Sequence, residues 1–283
     1  MTPPATTPPT ASARRHTIAK PATLSGLGVI SGRQVSVTLS PAHRGLRFHH
    51  LPSGTLIPAG PSFLSTGPSW TALRSDDVAV SLIEHLLAAL AATGITDVDI
   101  EVDGSELPLF NGSALPWFDV LSSAGTTSLP GETSCLVVGA PTILHAGNGS
   151  QWLAAFPLDG WKLVYILDWP HPLVGLQCAR FDPATDDFQT QIAPARTFAL
   201  ARDAEAARAA GIFQAGDASN VLLIFDDCLS ETPPLPDAFA RHKLLDLLGD
   251  LYAAGRPWRG LFIGYNSGHA LNHSLVKVLA GAP

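Results

Sequence analysis

The 283-residue chain, 46% hydrophobic and 14% charged, is long enough for two domains and has the composition of a packed globular protein rather than a disordered one. Its net charge is −7, yet the first 75 residues hold seven basic side chains (Arg14, Arg15, Lys20, Arg33, Arg44, Arg47, Arg74) and no acidic one, so they carry +7 against −14 for the remainder. Without an Arg/Lys run or interleaved aromatics this argues against nucleic acid, and it suits an anionic substrate or a peripheral membrane contact.

Residues 1–13 form a Pro/Thr-rich tail predicted to be disordered. The tail lacks the apolar core of a secretory signal, and no later stretch is long and apolar enough to span a bilayer. Gly26-Leu-Gly28 is a turn signal that does not continue as a dinucleotide fingerprint. Residues 33–40 alternate as a half-buried strand, and 81–94 read as a helix rich in Leu and Ala that stops at Gly94. Another alternating strand covers 97–103, and a second helix starts at Ala114. Residues 122–131, where Ser, Gly and Pro cluster, read as a linker between an N-terminal domain (14–121) and a C-terminal domain (132–283).

In the second half, 142–145, 152–156 and 162–168 read as strands, 200–211 as an Ala-rich helix and 221–225 as a buried strand. A largely apolar helix covers 241–250, a buried strand 261–265, and Ser267-Gly268 turns the chain into a terminal helix. Strands followed by helices in both halves predict an α+β fold of two layered domains. Cys135, Cys178 and Cys228 share no metal-type spacing. They suit a reducing, cytoplasmic compartment and read as small buried apolar residues.

Three segments carry chemistry. His242, Asp246 and Asp250 recur every four residues, so they share one stripe of the 241–250 helix. Three ionisable groups on a buried stripe cost several kcal/mol, about, unless they are paired, and a zinc ion held by imidazole and carboxylate would pair them. Such spacing alone more often marks a solvated helix face. Glu84, the only charged residue of its helix, stands beside His85 at the helix start, where the pair can supply a third ligand and a carboxylate near the metal. A helix-capping Glu next to a core His is the competing reading. His269 falls on a strand-to-helix turn, a common place for a catalytic side chain, although a lone turn histidine is more often solvated. His43, His49, His50, His145 and His273 lack a partner motif and read as surface or structural, and His171 as a loop residue over the cleft.

Together, Glu84-His85, Arg196-Thr197-Phe198, His242-Lys243-x-x-Asp246-x-x-x-Asp250 and Ser267-Gly268-His269-Ala-Leu-Asn resemble the UDP-3-O-acyl-N-acetylglucosamine deacetylases, zinc enzymes that commit bacteria to lipid A synthesis. The resemblance runs in order from about Arg15 to the C-terminus. It implies two similar domains with the active site between them, and a monomer acting on an acylated amino-sugar nucleotide. It further implies His85, His242 and Asp246 as zinc ligands and Glu84 as general base. His269 would be its protonated partner, oriented by Asp250. Thr197 would polarise the amide carbonyl, with Phe198 and Lys243 against substrate.

The chain departs from the family pattern at Ile30, Asn111, Asn266 and 215–220. A histidine is usual at the first of these and an aspartate at the second. At Asn266 the family commonly has a cation on the nucleotide side. None of these is an expected ligand, base or acid, so the departures bear on substrate contacts. Two other readings stand beside the first: a deacetylase of a different N-acyl amino sugar or nucleotide conjugate, and a non-catalytic ligand-binding relative. The latter has no chemical reason to keep Glu84.

Overall fold

The computed structural model describes residues 11–67 and 69–282. Its first half runs β1 (Ser12–Ile18), β2 (Ala22–Leu27), β3 (Gln34–Pro41), β4 (Leu46–His50), β5 (Thr55–Pro58), β6 (Leu64–Thr66), β7 (Thr71–Ser75), β8 (Val78–Ser81), α1 (Glu84–Thr93), β9 (Val98–Val102), α2 (Leu115–Ala124) and β10 (Thr126–Ser134). The second runs β11 (Leu136–Val137), β12 (Thr142–Ala146), β13 (Gln151–Phe156), β14 (Trp161–Trp169), β15 (Gly175–Phe181), α3 (Phe188–Gln191), β16 (Phe198–Leu200), α4 (Ala201–Ala209), β17 (Leu222–Ile224), α5 (Ala238–Tyr252), β18 (Trp258–Tyr265) and α6 (His269–Ala280).

Both halves of this α+β fold follow one plan. Hairpins β2–β3 and β4–β5 leave a gap that β9 fills, antiparallel to β3 and parallel to β4. Hairpins β12–β13 and β14–β15 leave the same gap for β18, antiparallel to β13 and parallel to β14, with β11 adding a short parallel pairing. In each half a helix precedes the filling strand (α1, α5) and another follows it (α2, α6). An insertion enters both halves just before the first helix: β6–β8 in one, α3 through β17 in the other.

The filling strands alternate buried and half-buried residues along their length, the period a sheet with one covered face requires. α5 is apolar on most sides and buries thirteen of its fifteen residues, so it serves as a central helix. It lies on β14 and β15 and packs against α1 from the other half. Gly249 allows that approach, because a Cβ there would stand 2.1 Å from the Glu84 carbonyl oxygen. No helix among the described residues is long and apolar enough to cross a membrane.

Several sequence expectations need correction. The tail was expected to reach residue 13, but Ser12 and Ala13 already belong to β1; residues 1–10 lie outside the described part. The segment 122–131, expected as a linker, ends α2 and then enters β10, which pairs antiparallel with β1. Its Pro130 and Gly131 fall where the ladder register shifts between Arg14 and His16, so the turn-forming pair marks an irregularity within a strand pair. Cys178 and Cys228 are exposed and Cys135 is half-buried, so none is a core residue.

Candidate metal centre and cleft

A cavity of about 770 Å³ opens between the halves, lined by residues of α1, α5, β16 and the start of α6. His85, in the first turn of α1, and His242, one turn before Asp246 on α5, direct their Nε2 atoms at one oxygen, Asp246 Oδ1, at 3.7 and 3.5 Å. Their rings stand 5.3 Å apart at 83°. These separations are too long for good hydrogen bonds, whereas two ligands each about 2.1 Å from a tetrahedral ion stand about 3.4 Å apart.

Other observations agree with a metal site. All three residues are buried and their ligand atoms lie within 4.8 Å of one another. His242 Nδ1 faces the Ala195 carbonyl oxygen at 3.2 Å, and donation to it leaves the Nε2 lone pair free. Burial lowers the His242 pKa to about 4, so the ring is neutral at pH 7, the form that could bind a metal. Burial opposes the Asp246 anion, yet His242 and the Lys243 ammonium hold its pKa well below the usual carboxylate range. Lys243 Nζ donates to Asp246 Oδ2 at 2.7 Å, leaving Oδ1 turned toward the histidines. Burial likewise opposes the Lys243 charge, but Asp246 carries its pKa above the ordinary lysine value.

Glu84 lies beside this set. Its Oε2 accepts the Thr71 backbone N–H at 3.1 Å, and burial raises its pKa to about 7. His269 Nδ1 donates to Asp250 Oδ2 at 2.8 Å. Burial works against the imidazolium, but the Asp250 anion raises the His269 pKa to about 9. Asp250 itself is fully buried, and its pKa stays far below the usual range despite that burial because His269 and its hydrogen bonds favour the anion. Thr197 is fixed by Gly112, whose carbonyl accepts both the Thr197 N–H at 2.7 Å and its hydroxyl at 3.1 Å. Phe198 packs edge-on against His242 at 5.7 Å and Phe239 at 4.9 Å. One wall of the cavity is apolar, with Leu82, Leu109, Phe213 and Val221.

Residues 15–281 match the sequence profile of the UDP-3-O-acyl N-acetylglycosamine deacetylase family. The chain belongs to this family. It is similar to the UDP-3-O-acyl-N-acetylglucosamine deacetylases of Anaeromyxobacter dehalogenans (35% identical, 96% of this chain and 89% of that protein) and Synechocystis sp. (37%, 94% and 98%). That of Neisseria meningitidis is 35% identical over 94% of this chain and 89% of its own length.

The departures from the deacetylase pattern have distinct structural meanings. Asn266 lines the cavity, but its Oδ1 accepts the Asp168 N–H at 2.8 Å and its Nδ2 donates to the Asp168 carbonyl at 2.9 Å, so the amide is engaged in bracing backbone. Asn111 Oδ1 accepts from the Ser113 hydroxyl at 2.8 Å in a turn leading into α2. Ile30 packs on a small apolar cluster with Val29, Leu82 and Leu109. Asn220 closes the 215–220 loop through the Ala215 carbonyl at 2.9 Å. Arg196, from the same triplet as Thr197, donates to the carbonyls of Asn111, Ala218 and Ser219 and pairs with Glu231, so it fastens loops.

Two residues at the site carried no functional expectation. Thr71 had no sequence signal at all. His273, read as surface or structural, is 2% exposed beside Asp250; its place one turn after His269 on α6 was the available clue.

Proposed function

We propose that this chain hydrolyses the acetamide of a UDP-3-O-acyl-N-acetylglucosamine to the free amine and acetate, as a zinc enzyme of lipid A biosynthesis. The observation that carries the reading is Glu84, a buried carboxylate with a pKa of about 7 that lines one cavity with His85, His242, Asp246 and His269 and feels the charges of both His85–Asp246 and His269–Asp250. His85, His242 and Asp246 would hold the zinc, two imidazoles and a carboxylate being a donor set that suits that ion. When bound there, zinc polarises the acetyl carbonyl and lowers the pKa of the attacking water.

Glu84 takes a proton from that water as its oxygen adds to the carbonyl carbon. Thr197 exchanges the Gly112 carbonyl for the developing oxyanion and donates its hydroxyl proton there. His269, protonated at neutral pH and held at Nδ1 by Asp250, delivers its Nε2 proton to the amine nitrogen as the C–N bond breaks. Lys243 and Phe198 border the reacting centre, and the apolar wall of Leu82, Leu109, Phe213 and Val221 accommodates the 3-O-acyl chain.

Acetate release from zinc-loaded protein tests this. Turnover of the 3-O-acylated UDP-sugar, with much weaker turnover of UDP-N-acetylglucosamine, is expected. Equal rates with and without the acyl chain would shift the assignment to another N-acyl sugar conjugate, and absence of turnover on every such substrate would point to a non-catalytic relative.

A further inference from the structure

Thr71, on the insertion strand β7, touches both halves of the acid–base apparatus. Its backbone N–H binds Glu84 Oε2 at 3.1 Å, and its hydroxyl meets Asp250 Oδ1, with His273 Nε2 at 2.9 Å. His273 Nδ1 in turn lies 2.6 Å from the Thr66 hydroxyl on β6. Asn272 Nδ2 donates to Asp250 Oδ2 at 2.8 Å, the oxygen that also accepts from His269.

We infer that Thr71 and His273 are positioning residues for this reaction, forming a one-directional hydrogen-bond relay that locks Asp250 and Glu84 in register; this rests on the roles proposed above for Glu84 and His269.

Elementary donor–acceptor counting fixes the direction. A hydroxyl has one proton, and ionised Asp250 can only accept, so the Thr71 O–H points to Asp250 Oδ1. His273 must then donate to Thr71 Oγ1 through Nε2–H, and in a neutral ring Nδ1 accepts from Thr66. Asp250 thereby receives protons from Thr71, Asn272 and His269, and its remaining freedom to rotate is removed. With the carboxylate immobile, His269 keeps Nδ1–H on Asp250 and turns Nε2 toward the cavity. The same Thr71 main chain fixes Glu84, so base and acid are set against one rigid residue. Every polar atom of Asp250, Thr71 and His273 in this buried network has a partner, while Asn272 takes part through Nδ2 alone, its Oδ1 being unpaired among the described residues. Thr66 and Thr71 lie on adjacent antiparallel strands and are registered opposite each other, which makes the two hydroxyls a preformed pair.

The test uses the full-length, zinc-loaded chain. Thr71→Val and His273→Ala are expected to lower kcat by about 10- to 100-fold with KM nearly unchanged and zinc retained. Thr71→Ser, which restores the hydroxyl, should recover most of the turnover. Full kcat in Thr71→Val, or an equal loss in Thr71→Ser, would overturn the relay. Should Thr71→Val fail to fold, Thr66→Val asks the same question at the outer end, a kcat loss supporting the relay and an unchanged kcat refuting it. Nitrogen-15 histidine spectra read the relay without turnover: His273 should carry its proton on Nε2, and the Nδ1–H tautomer would refute the direction even if the functional assignment proved wrong.

Discussion

The backbones of Gly249 and Glu84 are in direct contact: a Cβ on residue 249 would come within 2.1 Å of the Glu84 carbonyl oxygen. α5 carries His242 and Asp246, and α1 carries Glu84 and His85, so this contact sets the distance across which the metal set is assembled.

Gly249→Ala should therefore damage stability and site together. Overpacking of a buried contact costs about 1–3 kcal/mol, and backbone on one side leaves the methyl no flexible neighbour to displace. Thermal unfolding and zinc titration are the measurements. A lowered Tm with weakened zinc affinity is expected, and wild-type values for both would show that the two helices do not need this contact.

His242→Ala should lose zinc while retaining the fold. The residue supplies one of three buried donors, and α5 keeps its apolar contacts without it. Elemental analysis alongside circular dichroism would check this, and undiminished zinc in the variant would contradict the ligand assignment.

Glu84→Ala should keep zinc and lose about 10²–10⁴-fold in turnover, the usual contribution of a positioned base. The pH profile should be bell-shaped. Below its pKa Glu84 is protonated and cannot accept, so activity rises with pH through a value at or below about 7, because a bound cation pulls the carboxyl down from its burial-raised position. Above about 9 His269 loses the proton it delivers, so activity falls. His269→Ala should remove the basic limb selectively, and a basic limb that persists in that variant would assign it elsewhere.

These expectations show what the sequence carried and what it did not. The i, i+4 stripe of His242, Asp246 and Asp250 and the adjacent Glu84-His85 were legible because helical periodicity places each pair without knowledge of the rest of the fold. The duplication came only through the family resemblance, which implies two similar domains: β9 and β18 occupy equivalent gaps through hairpin order and strand polarity, which leave no repeated motif in the chain. The 122–131 segment was misread because Pro130-Gly131 signals a break, whereas long-range pairing with β1 overrides it. Thr71 reaches the site only through the β6–β7–β8 sheet, a contact between residues 179 positions apart in the case of Asp250.

Asn266 gives the last prediction, in which the structure changes a sequence-based expectation. From the sequence, Asn266→Lys restores a cation where related deacetylases commonly have one, and a charge-assisted phosphate contact contributes about 1.5–3 kcal/mol. In the fold, however, Asn266 has φ of 50°, a left-handed conformation that asparagine tolerates better than lysine. Its amide also makes both hydrogen bonds to the Asp168 backbone, each worth about 0.5–1.5 kcal/mol net. Lysine loses the acceptor entirely and has no planar amide to bridge N–H and carbonyl. Asn266→Lys should therefore lower Tm, and any fall in KM for the UDP-sugar should stay below about tenfold, since 1.4 kcal/mol corresponds to that factor. Melting curves and Michaelis constants measured on the same preparation decide between the two views. An unaltered Tm with a KM gain beyond tenfold would mean that the Asp168 brace is dispensable and that the missing charge alone governs nucleotide affinity at this rim.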